Sequence, residues 1–158
     1  MIDPARQSRL NEIAKIAVKL EASTGVPAAL TVSQWALESR YGAKPAGNFN
    51  LFGIKRAARH TQGCTTTTHE VIQGQRVKQD LQFADYCSVE ESAADYAWLI
   101  SNGKPYAKAW AAYQADRNSL KLLQGIAKVY ASDPSYCKLL QQLAGQSDIV
   151  MAISKARM

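Results

Sequence analysis

The sequence predicts an α+β fold that is mainly α, with one small β-hairpin set into a helical domain. Apolar residues recur at helical spacing through most of the chain. Start and stop signals punctuate those runs, with Asp-Pro or Ser-x-x-Glu before them and glycine after them. One Thr- and Val-rich stretch breaks the pattern and carries a Gln73-Gly74 turn. The 158 residues, 47% hydrophobic and 20% charged, suit a single domain over 1–158 with its own core rather than a disordered chain.

The first helix follows Asp3-Pro4, an N-cap with a preset first turn, and carries Ile13, Ile16, Ala17 and Leu20 at helical spacing until Gly25. Pro27 opens the second, PAALTVSQWALESRYG, with Leu30, Ser33, Gln34, Leu37 and Tyr41 along one side and Gly42 as its stop. Glu38 falls in its last turns, one turn beyond Gln34. The loop KPAGNFNLFGIK holds too many apolar residues for an exposed connection, so it is expected to pack against the helix end. TTTTHEVIQGQRVKQDLQF reads as the hairpin. Ser88 and Glu91 form a capping box before SAADYAWLI, which stops at Asn102-Gly103. Helical runs cover Tyr106 to Tyr113 and Asn118 to Tyr130, and Asp133-Pro134 repeats the cap device before SYCKLLQQLAG. The tail, 147–158, is weakly helical and expected to fray.

The net charge of +6 suits polyanionic partners, but the Lys and Arg residues are scattered, as on a solvated basic surface. A nucleic-acid partner is not expected, and tight, salt-dependent DNA binding would be its sign. No run of 18 or more apolar residues is present, so no membrane-spanning helix is expected. The N-terminal segment lacks a signal-peptide pattern, which implies a mature form or a leaderless route. Cys64, Cys87 and Cys137 are odd in number, leaving at most one internal disulfide. With no CxxC, no HExxH and only His60 and His69, no metal site is expected. No GxSxG, GxxxxGK[ST] or GxGxxG is present, nothing supports a thiol nucleophile, and no cofactor is expected.

The carboxylates remain. Asp3, Glu91 and Asp133 read as helix caps, and Glu12, Glu21, Asp85, Glu90, Asp95, Asp116 and Asp148 as solvated surface. Glu38 differs, because it follows the apolar run AALTVSQWAL and precedes the aromatic loop. Partial burial and the helix C-terminus both favour its protonated form, as a general acid requires. The plain alternative is an exposed residue at a helix end. Glu70, on the hairpin after His69, is the second candidate, against a solvent-facing strand position.

ALTVSQWALESRYG resembles the catalytic helix of glycoside hydrolase family 73, the glucosaminidases of bacterial walls, whose pattern runs A-x-x-A-x-x-E-S-x-x-G. NFNLFGIK resembles the family's N-N-x-F-G-I-K loop, TTTTHEVIQGQ its T-x-E-x-x-x-G hairpin, QFADYCSVEESAADYAWLI its F-x-x-Y-x-S-x-x-E-S-x-x-D-Y-x-x-L-I segment, and YASDPSYCKLL its Y-A-T-D-P-x-Y-A-x-K-L segment. Five segments in order, from about Ile13 to Leu143, make the resemblance specific. It implies a lysozyme-like fold, a helical lobe and a small β-hairpin lobe flanking a glycan groove. It also implies cleavage of the β-1,4 bond between N-acetylglucosamine and N-acetylmuramic acid. By resemblance Glu38 is the proton donor, Glu70 the second carboxylate and Tyr130 an active-site tyrosine. Asn48, Phe52 and Tyr136 match positions that shape the substrate groove, as does Tyr41, an aromatic substitute for the family's usual tryptophan. Arg40 departs from the usual E-S-G-W-G and could meet an anionic partner.

The expected partner is therefore the peptidoglycan glycan strand, met in the periplasm or cell wall. A leaderless catalytic domain suits an antibacterial effector or phage lysin, and an effector implies an inhibitor (immunity) protein occluding the groove. Other readings are a muramidase or lytic transglycosylase of similar fold, and an inactive glycan-binding module. The sequence leaves the second reacting group open: Glu70 activating water, or the substrate's own acetamido group.

Overall fold

The computed structural model describes residues 2–60 and 63–158, without the side chains of residues 63–71, 79 and 80. Helices α1 (Pro4–Thr24) and α2 (Ala28–Ser39) precede strands β1 (Gly63–Ile72) and β2 (Gln75–Ala84). Then come α3 (Val89–Asn102), a 3-10 turn (Lys104–Tyr106), α4 (Ala107–Asp116), α5 (Ser119–Tyr130), α6 (Tyr136–Ala144) and α7 (Ser147–Ala156). The mainly helical α+β architecture with one hairpin is the predicted one.

Most caps form as predicted. Asp3 accepts the Ala5 N–H at 3.2 Å with Pro4 in the first turn, and the Gly25 N–H closes α1 on the Glu21 carbonyl at 2.9 Å. The Ser88 hydroxyl accepts the Glu91 N–H at 3.1 Å, while the Glu91 carboxylate reaches the Cys87 N–H at 2.7 Å, one residue beyond a standard capping box. Asp133 caps a turn instead of a helix: its carboxylate holds the Ser135 N–H and hydroxyl at 2.9 and 2.8 Å, so α6 starts only at Tyr136. Glu21 is not simple surface either. It accepts the Ala28 N–H at 2.6 Å, capping α2 in place of Pro27, and pairs with Arg157 at 2.8 Å.

The strands pair antiparallel from Gly63↔Ala84 to Ile72↔Gln75. The two-residue turn between them places Gln73 at φ 51° and Gly74 at φ 79°, the mirror-image geometry that matches strand twist. Lys55 bridges to Phe83, which joins the loop after α2 to the foot of β2.

Helix α2 is the axis of the helical lobe. Leu30, Thr31, Val32, Ser33, Gln34, Trp35 and Ala36 are all buried, and α1, α3, α6 and α7 pack on it. The tail expected to fray is instead α7. Ile149, Ala152 and Ile153 are buried, the helix packs on α1, and Asp148 pairs with Arg6 at 2.8 Å. Those apolar positions lacked a partner only along the sequence. No described helix is long and apolar enough to cross a membrane.

Candidate active site

Glu38 lies in the last turn of α2, partly buried. Three consecutive left-handed residues follow shortly after it: Arg40 at φ 49°, Tyr41 at φ 57° and Gly42 at φ 79°. The Tyr41 N–H bonds the Ala36 carbonyl at 3.0 Å, the Gly42 N–H the Ser39 hydroxyl at 2.9 Å, and the Lys44 N–H the Ser39 carbonyl at 2.8 Å. Two non-glycine residues in this region carry strain of about 1–2 kcal/mol each. The strain reverses the chain immediately after the carboxylate. Glycine at the Arg40 position, as in the E-S-G-W-G pattern that this segment resembles, would enter the left-handed region freely.

The loop beyond this reversal returns to Glu38. A side chain at Gly53, which holds φ 63°, would put its first carbon 2.7 Å from Glu38 Oε2. On the other side the Tyr136 hydroxyl donates to Glu38 Oε1 at 2.5 Å. Tyr136 is buried and accepts from Gln34 Nε2 at 2.9 Å, and the Tyr96 hydroxyl donates to Gln34 Oε1. Tyr130 stacks on Tyr136 with ring centroids 6.3 Å apart and donates its hydroxyl to the Phe52 carbonyl.

These tyrosines form the wall behind the acid. Burial, then the nearby Glu38 charge, pushes the Tyr130 and Tyr136 hydroxyls well up from their ordinary range, and Tyr106 up to about 12. For Tyr96 burial leads, followed by Tyr106 and Glu38. Each therefore stays a neutral hydroxyl at working pH.

Asn50, which sequence reasoning passed over in favour of Asn48, clips the loop into place. Its fully buried amide donates to the Ile54 and Ala84 carbonyls at 2.8 Å each and accepts the Ile54 N–H at 3.1 Å. Loop, hairpin foot and the segment under Glu38 are thus held by one side chain. Its only sequence signal was its place inside the NFNLFGIK segment.

The other predicted residues lie as follows. Phe52 is fully buried and stacks on Tyr96 at 4.6 Å, so its ring supports the site from beneath and offers no face to a substrate. Tyr41 is occupied by its neighbours. Its ring meets Trp35 edge-on and carries the Arg6 guanidinium at 3.7 Å, and its hydroxyl donates to Gln146 at 2.7 Å. Asn48 is exposed and anchored by its backbone to Asp85 and Tyr86, and it lines a cavity of about 330 Å³ with Arg9, Trp35 and Phe49, outside the Glu38 cluster. Glu70 pairs with Val77 in the hairpin, but its side chain lies outside the described residues. Arg40 is exposed. Cys87 and Cys137 are free, and the Cys64 side chain lies outside the described residues.

Asp95, read from sequence as surface, anchors a second cluster where the chain enters the hairpin. It accepts the Arg59 guanidinium on both oxygens at 2.9 and 3.0 Å, the Tyr86 hydroxyl at 2.5 Å, and meets His60 Nε2 at 2.8 Å. His60 Nδ1 accepts the Ala57 N–H at 2.8 Å, which places the neutral ring's proton on Nε2, facing Asp95. Burial acts to raise the Asp95 carboxyl, but the hydrogen bonds from Tyr86, His60 and Arg59 outweigh it and hold the group below the ordinary carboxylate range.

Residues 14–148 match the glucosaminidase family, described as mannosyl-glycoprotein endo-beta-N-acetylglucosaminidase. The chain is 31% identical over 138 residues to the peptidoglycan hydrolase FlgJ of Salmonella typhimurium, covering 80% of this chain and 43% of that protein. It is 30% identical over 152 residues to a Lactococcus lactis protein named "Probable N-acetylmuramidase", covering 89% of this chain and 33% of that one. The chain thus spans less than half the length of these relatives. Among solved structures, a peptidoglycan hydrolase mutant from Sphingomonas sp. A1 superposes with TM-score 0.79 at 28% identity, covering 94% of this chain and 99% of that one. The truncated glycoside hydrolase domain of Salmonella typhimurium FlgJ superposes with TM-score 0.65 at 25% identity, covering 88% and 95%. The match across most of the chain, on a fold shared with these domains, places it in the glucosaminidase family of glycoside hydrolases, family 73.

Proposed function

We propose that this chain is a peptidoglycan hydrolase that cleaves the β-1,4 bond on the glucosaminyl side of N-acetylmuramic acid, with Glu38 as general acid. The observation that carries this reading is the setting of Glu38. Its carboxyl ends a buried helix and is fixed between Tyr136 and Gly53. General-acid catalysis needs this combination of a held proton and a rigid carrier. The names of the relatives, peptidoglycan hydrolases among them, support the substrate class.

In the transition state the glycosidic oxygen gains the Glu38 proton as its bond to the sugar breaks and positive charge spreads over the ring. Glu70, on β1, the strand that leads into the hairpin turn, is the second carboxylate, activating water on the opposite face of the sugar. Tyr130 acts by holding the Phe52–Gly53 segment against Glu38. The site of action follows the substrate, the periplasm or wall. The effector role inferred from the sequence has its own sign: an inhibitor protein from the producer binds the purified chain and blocks lysis.

A second reading is favoured by the Lactococcus relative's name, that of an N-acetylmuramidase. Mass spectrometry of digested peptidoglycan separates the two. New reducing ends on N-acetylglucosamine support the proposal. New reducing ends on muramic acid identify a muramidase, and anhydro-muramic products a lytic transglycosylase.

A further inference from the structure

We propose that Gln34 is a positioning residue that sets the direction of the hydrogen-bond chain Tyr96–Gln34–Tyr136–Glu38, and so commits the Tyr136 hydroxyl hydrogen to Glu38. The inference rests on the reading of Glu38 as general acid.

Gln34 and Glu38 are one turn apart on α2, so amide and carboxyl share a face. Gln34 is fully buried in a core where leucine would suit the packing, and a buried amide is costly unless its polar ends are met. Both ends are met. Tyr96, also fully buried, donates its hydroxyl to Gln34 Oε1. This turns Nε2 toward the Tyr136 oxygen at 2.9 Å. Nε2 only donates, so the Tyr136 oxygen accepts, and its single hydrogen is left for Glu38 Oε1 at 2.5 Å. Reversing the chain requires the opposite amide orientation, which would face Nε2 to Tyr96 and leave its hydroxyl hydrogen without that acceptor. An oxygen that receives a hydrogen bond from Tyr136 presents a lone pair to it. Glu38 Oε1 is thereby held as an acceptor, while Oε2 lies on the Gly53 side of the carboxyl.

The chain also tunes the acid. Donation from Tyr136 favours the carboxylate, so its loss moves deprotonation of Glu38 to higher pH. Among the described residues, the tyrosines Tyr96 of α3, Tyr106 of the 3-10 turn, Tyr130 of α5 and Tyr136 of α6 feel the Glu38 charge, all as neutral hydroxyls.

A double-mutant cycle on soluble glycan fragments tests the proposal. Gln34→Met keeps the volume and removes both polar ends. It is expected to lower kcat about tenfold, the worth of one hydrogen bond to a charged group, with KM unchanged. The basic limb of the pH profile should move up, as it does in Tyr136→Phe. In the Tyr136→Phe background Gln34→Met should cost nothing further in kcat. Additive losses, or a basic limb that stays in place in Gln34→Met, overturn the proposal. Should Gln34→Met fail to fold, Gln34→Glu replaces it. Once ionised, the introduced carboxylate draws the Tyr136 hydrogen away from Glu38, so activity should fall with rising pH, and a wild-type profile overturns the proposal. Glu38→Gln run alongside separates the two readings. Full activity there removes the acid assignment itself, whereas an inactive Glu38→Gln with an additive cycle removes only the role of Gln34.

Discussion

Tyr136 donates its hydroxyl to Glu38 Oε1 across 2.5 Å, though 98 residues separate the two in sequence. The contact joins the end of α2 to the start of α6 and sets the acid against a wall of neutral tyrosines. Functional geometry of this kind depends on the loop between α2 and the hairpin, and several consequences can be measured there.

Gly53 has two reasons to be glycine, its φ of 63° and the 2.7 Å a first side-chain carbon would leave to Glu38 Oε2. Gly53→Ala is expected to displace the carboxyl and lower kcat by about 100-fold, while far-ultraviolet circular dichroism stays that of the wild type. Wild-type kcat in that variant would remove Gly53 from the site.

Arg40 carries left-handed strain at φ 49°, a region that glycine enters freely. Arg40→Gly relieves about 1 kcal/mol of it, partly offset by the greater freedom of glycine in the unfolded chain. Thermal melting should show a small rise in Tm with activity retained. A fall in Tm would mean that Arg40 makes contacts worth more than its strain.

Asn50→Ala removes three hydrogen bonds, from the Ala84 and Ile54 carbonyls and the Ile54 N–H, though the Ile54 carbonyl keeps the Ala84 N–H at 3.0 Å. The expected loss is about 3 kcal/mol, read as a lower midpoint in urea unfolding, with activity falling as the loop loosens. An unchanged midpoint would show that the clip is dispensable.

Asp95 links folding to pH. Its carboxyl is held below the ordinary range in the folded protein, so it stabilises the fold above its unfolded pKa. That contribution is lost as pH falls through the lower, folded value. Asp95→Asn should therefore reduce stability at neutral pH and flatten the acid side of the stability curve below about pH 4. An acid limb as steep as the wild type's would place the pH dependence elsewhere.

Local signals in the sequence carried much of this fold. Asp3-Pro4, Ser88 with Glu91, and Gln73-Gly74 each act through neighbours a few residues away, and each appears where its chemistry demands. The segments around Glu38, the NFNLFGIK loop and the hairpin, taken in order, carry the family resemblance within the sequence itself. Long-range partners were not legible. Gln34 looks like one more residue on an amphipathic helix, because Tyr96 and Tyr136 lie 62 and 102 residues away. Asp95 looked like surface, since Arg59 and His60 reach it from another segment. The tail looked ready to fray because α1, which covers it, is at the opposite end of the chain.

The most direct measurement is the rate at which Glu38→Gln solubilises purified peptidoglycan, compared with wild type at equal folded concentration. The amide keeps the shape and can still accept from Tyr136, but it has no acidic proton to give. The account predicts a loss of at least about 100-fold, in line with general-acid contributions, with Tm close to that of the wild type. Lysis at the wild-type rate would contradict it.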